Sequence, residues 1–139
     1  MTARPIRIHS LAEARVACAA AVECGVPLFL VSAPAASSHA GALWFQGVVR
    51  RVTAEFPTVS LTAALDCGDR AGDAQAALAA GVRAVLYTGP PPVAERLADI
   101  AAQHGSVLLT DRPSALDLRD ARRAEEACRG WLSGGQSPI

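Results

Sequence analysis

Short apolar runs alternate along this chain with longer stretches in which apolar residues recur at helical spacing. Arg4 to His9, RPIRIH, reads as a first strand. SLAE at Ser10 to Glu13 follows with the spacing of a capping box, which satisfies the free amides of a helix's first turn. That helix runs to about Glu23, where Gly25 can take the left-handed cap. Pro27 to Ala33, PLFLVSA, is apolar enough for a buried second strand, and PAASSHAG at Pro34 to Gly41 has the composition of a loop. From Ala42 to Phe56 the stripe Leu43, Val48, Val49, Val52 and Phe56 predicts a helix that Pro57 stops.

The chain is organised around Val59 to Asp69, VSLTAALDCGD, an apolar run that ends abruptly in acid, thiol, glycine and acid. A strand covered on both faces looks like this, and it delivers its polar groups to the end of a sheet. Arg70 to Ala80 then reads as a helix with Gly81 as its cap, Arg83 to Thr88 as a fourth strand, Val93 to Gln103 as a helix, and Ser106 to Asp111 as a fifth strand. Leu116 to Leu132 predicts one last amphipathic helix, and Ser133 to Ile139 a flexible tail, so residues 1–132 form a single α/β domain. Such alternation implies a five-unit (βα)5 parallel sheet with right-handed crossovers. Either a flavodoxin-like three-layer sandwich or a partial TIM-barrel fragment satisfies it. Five strands cannot close a barrel of that kind, so a fragment would leave edges for another chain to cover.

Composition narrows the functions. Charges balance at 13 against 13, and every basic residue is arginine. Without lysine there is neither a Schiff base nor a Walker phosphate loop. No basic stripe suggests a nucleic-acid partner, and no apolar run or leader suggests a membrane. The four cysteines, Cys18, Cys24, Cys67 and Cys128, form no CxxC pair, so zinc-ribbon and thioredoxin motifs are absent and the chain reads as cytoplasmic. Three scattered histidines, His9, His39 and His104, lack metal-ligand spacing, so no metal or other cofactor is expected.

Parallel sheets bind ligands at the carboxyl ends of their strands. The groups expected there are Asp66, Cys67 and His39 for chemistry, and Ser32, Ser37, Ser38, Asp69, Thr88, Gly89 and Asp111 for ligand contact. Each has a plainer reading. Asp66 or Asp69 could cap the helix that follows and the loop serines the helix before Trp44, while Cys67 could be inert core. Trp44, Phe45 and Trp131 are read as packing, or as an oligomer contact if the sheet is a barrel fragment.

In their order, SLAEARVACAAAVECGVPLFLVS at Ser10 to Ser32, VSLTAALDCG at Val59 to Gly68 and AALAAGVRAVLYTG at Ala76 to Gly89 resemble the first strands of class II fructose-bisphosphate and tagatose-bisphosphate aldolases. The resemblance covers roughly His9 to Asp111. It implies that Asp66 stands at the family's proton-donating aspartate and Cys67 at a zinc-binding histidine. Ala63 and Ala64 stand where that family tends to place a histidine, Ser106 to Asp111 lacks the glutamates that follow its fifth strand, and its later zinc histidines have no counterpart. Asp66 with Thr88 is also similar to the receiver domains of two-component signalling, which need a lysine that this chain does not have.

The expectation is therefore a degenerate aldolase-like domain, non-catalytic, that binds a small molecule or assembles as a homo-oligomer. The alternatives are a small lyase or isomerase acting on a phosphosugar or oxo acid through Asp66, and a flavodoxin-like regulatory module.

Overall fold

The computed structural model describes residues 3–34, 41–119 and 121–134. The chain is α/β with parallel strands, as the alternation predicts. It comprises β1 (Pro5–Arg7), α1 (Leu11–Cys24), β2 (Leu28–Val31), α2 (Gly41–Glu55), β3 (Leu61–Asp66), α3 (Ala71–Ala79), β4 (Ala84–Leu86), α4 (Pro91–Gln103), β5 (Val107–Leu109), β6 (Leu116–Asp117) and α5 (Ala124–Leu132). None of the described helices is long and apolar enough to cross a membrane. Two compact units emerge, one of residues 1–31, 47–62 and 114–139, the other of residues 32–46 and 63–113.

In the first unit the strand order is β2-β1-β6, and β1 is parallel to both neighbours. Ile6, Ile8, Leu28, Leu30 and Val31 are fully buried there, each stabilising by about 1.5–3 kcal/mol. The predicted cap forms. Ser10 Oγ accepts from the Glu13 amide at 3.1 Å while Glu13 Oε1 accepts from the His9 amide at 2.8 Å. Gly25 ends α1 at φ 64°, a conformation a side chain would strain. Ala14, Ala17, Cys18 and Ala21 make the buried stripe of α1, and their small size lets α5 pack closely against it. From α5, the Trp131 indole N–H donates to the Pro5 carbonyl at 2.9 Å and its ring receives the Arg4 guanidinium 3.6 Å from its centroid.

The one long helix expected over Leu116 to Leu132 is two elements. Leu116 and Leu118 are buried with exposed Asp117 between them, which is the alternation of a strand. Residues Leu116 and Asp117 pair with Ile6 and Arg7, and the Leu118 amide continues the ladder to the Arg7 carbonyl. Helix resumes only at Ala124. Three residues of period two are hidden in front of a strong helical pattern, so the periodicity of the longer segment masks them.

In the second unit the order is β3-β4-β5, again parallel, with Leu65 opposite Val85 and Val85 opposite Leu108. Ala64, Leu65, Val85, Leu86 and Tyr87 form its strand core, covered by Ala74, Ala77 and Leu78 of α3 and Leu97 of α4. Helix α4 begins at Pro91, earlier than its apolar stripe suggests, because proline in a first turn forfeits no hydrogen bond.

Candidate functional site

The polar end of β3 centres on Asp66. Asp66 is fully buried. Its Oδ2 accepts from Arg112 Nε at 2.8 Å, and its Oδ1 accepts from Arg112 Nη2 at 2.9 Å and from the Gly68 amide at 3.0 Å. Gly68 makes the last contact possible by turning at φ 57°, where glycine alone is unstrained. Behind the carboxylate, the Asp66 amide donates to Ser32 Oγ at 2.9 Å, and the Ser32 hydroxyl donates to the Ala33 carbonyl at 3.0 Å. The ends of the strands are stitched to each other in the same way. The Cys67 amide donates to the Leu86 carbonyl, and the Thr88 amide to the Gly68 carbonyl, both at 2.8 Å.

Asp66 and Ser32 are thus brought together, and Gly68 and Thr88 are joined to them through backbone. Cys67 is buried beside Asp66 in the chain. Asp69, Thr88 and Asp111 are exposed. Asp69 does not cap α3, whose N-cap is Arg70 with no side-chain cap bond. Gly89 has a steric reason: a Cβ there would collide with the ring of the buried Tyr87. Ser37, Ser38 and His39 lie outside the described residues, as does the tail from residue 135.

Arg112 is the residue that sequence reasoning misses. An aspartate at the end of a buried strand demands a cation, and a lysine-free chain makes that cation an arginine, but 13 arginines give no way to choose among them. The hydrogen bond to Asp66 raises the Arg112 pKa above its ordinary value, partial burial opposes this, and the charge of Asp66 adds to it. Both Asp66 oxygens are thus engaged, and the carboxylate has no solvent access.

A second polar pair sits at the carboxyl ends of β1 and β6. His9 Nε2 is 2.7 Å from Asp117 Oδ1, which also accepts from the Arg119 amide at 3.0 Å. Burial works to raise the Asp117 pKa, but the Arg119 amide, the His9 ring and the charge of Arg7 together hold it below the usual carboxylate range. Burial pushes the Cys18 thiol up to about 11 with help from Glu55, and the Cys128 thiol up to about 12 with help from Glu125, so neither is a nucleophile at neutral pH. No three His, Cys, Asp or Glu side chains among the described residues converge on a point that would hold a metal ion.

A cavity of about 460 Å³ opens between the end of α1 and the start of β2, lined by Val22, Val26, Pro27, Val59 and small neighbours. It offers no titratable side chain and lies at the amino end of β2, away from the strand ends where parallel sheets place their chemistry. No family model matches this chain, and no curated protein is significantly similar to it.

Proposed function

We propose that this chain is a non-catalytic, small-ligand-binding domain of aldolase-like build, acting in the cytoplasm. The observation that carries this reading is the engagement of Asp66: the carboxylate expected to move protons is fully buried and held on both oxygens. A general acid or base must reach its substrate's proton within hydrogen-bond distance, and this one is turned toward Arg112 instead. The rim around it, with exposed Thr88 and Arg112, still offers donors to a ligand. Four free cysteines, three of them buried, suit a reducing compartment.

The test is a panel of phosphosugars and oxo acids, including fructose and tagatose bisphosphates, followed in parallel by melting temperature and by product formation with and without added zinc. The expected result is a raised melting temperature for at least one compound and product from none. Turnover of any panel member by the wild-type protein would overturn the non-catalytic reading, and a flat melting temperature across the panel would remove the ligand-binding one.

Assembly as a homodimer is a second reading, favoured by exposed apolar residues in the second unit. Leu43 is 70%, Val107 56% and Trp44 41% exposed, and Val107 opens β5, whose one described partner strand is β4. An exposed, apolar sheet edge is a natural place for a second copy to pair.

A further inference from the structure

We propose that Arg112, held by Asp66, is an oxyanion-binding group that receives the carboxylate or phosphate group of a small ligand on the outer edge of its guanidinium. The proposal rests on the ligand-binding reading above and names the ligand's chemistry.

A guanidinium carries five N–H donors in one plane, in two fork-shaped edges. Asp66 takes the side edge, Nε and Nη2. The end edge, formed by Nη1 and the second hydrogen of Nη2, is engaged by no described residue. The Arg112 side chain is 40% exposed while Asp66 is fully buried, so the pair is anchored on its inner side and open on its outer one. That distinguishes Arg112 from an ordinary surface arginine, whose long side chain must lose rotamer freedom before it can bind anything. Here the ordering is already complete in the folded chain, and a bidentate oxyanion finds two parallel donors in fixed position.

Charge sets the class of ligand. Asp66 cancels the formal charge of Arg112, and Asp111, next to it in sequence, is exposed. Recognition is therefore directional and not a matter of field strength, which suits one carboxylate or one phosphate group on a small molecule and disfavours polyanions. Thr88 adds a candidate donor. Its hydroxyl is on an exposed residue whose amide is bonded to Gly68, the same residue that caps Asp66.

The experiment is a titration of protein carrying ¹⁵N-labelled arginine and backbone, followed by NMR through the Arg112 Nε–H and Gly68 amide signals. Sodium phosphate and sodium acetate are the probes, with sodium chloride at matched ionic strength as reference. The expected result is a saturable shift centred on Arg112 with phosphate, acetate or both, and the arm that saturates identifies the oxyanion. Arg112→Lys keeps the charge and loses the fork, so the affinity should fall roughly tenfold or more. Shifts that chloride reproduces, that centre elsewhere, or that titrate with undiminished affinity in a folded Arg112→Lys protein would overturn the proposal. The wild-type mapping decides the matter even if the variant does not fold. If panel compounds raise the melting temperature but perturb residues away from Arg112, this assignment fails while the ligand-binding reading stands. If nothing binds, both fail.

Discussion

Asp66, which the sequence offers as an acid–base group, is fully buried in the fold and bonded to Arg112 and Gly68. A carboxylate with no solvent access is tolerated only with a counter-charge and hydrogen bonds on its remaining lone pairs, and Arg112 and Gly68 supply these. The consequence is an asymmetry between the two partners. Arg112→Ala leaves a buried, uncompensated carboxylate and should cost about 2–4 kcal/mol, less than a fully buried pair because Arg112 is partly in water. Asp66→Asn keeps the shape and the Gly68 contact and frees an arginine that can turn to solvent, so it should cost less. The double variant should then be more stable than Arg112→Ala alone. Urea midpoints of the three variants and the parent check this. If the effects simply add, the pair is not coupled, and the closed geometry at the end of β3 is not what stabilises it.

At the scale of elements, β6 is the piece most exposed to acid. It is two residues long, and beyond its ladder to β1 it is tied by the contact between His9 and Asp117. Asp117 has a folded pKa held below its unfolded value. Its contribution to stability is therefore present above the unfolded value of about 3.9 and lost as pH falls through the folded one. Half-exposure of the Asp117 side chain keeps that contribution small. The parent should lose more melting temperature than Asp117→Asn between about pH 5 and pH 3, and equal losses would mean that this carboxylate does not anchor β6. The same element marks where the sequence stops being legible. Helix α1 could be read because its cap and its glycine stop agree, and β3 because its apolar run ends in a cluster of polar groups. β6 could not, because two paired residues carry too little periodicity against the helix behind them. Arg112 could not because it sits in a segment with no regular structure, 46 residues from its partner at the end of β3. The position of Ser32 at the strand end was legible. Its hydrogen bond to the Asp66 amide was not, since nothing local specifies which strand lies opposite.

For the whole molecule, net charge and exposed apolar surface have to be considered together. The formal net charge is zero and the pI is about 6.8, so near neutral pH no self-repulsion keeps copies apart. Association seen there could be non-specific, driven by the absence of charge alone, whereas a specific dimer through β5 and the exposed Leu43 and Trp44 would persist once the chain is charged. Sedimentation equilibrium at about pH 8.5 and moderate salt separates the two. A homodimer is expected to survive under those conditions, and Val107→Glu, which sets a charge on the exposed face of the β5 edge, should weaken it by roughly tenfold or more. Because Val107 is 56% exposed, the same substitution should leave the melting temperature of the monomer nearly unchanged. A monomer at every concentration at that pH would rule out assembly as part of this protein's function. A dimer indifferent to Val107→Glu would keep assembly but move it off β5.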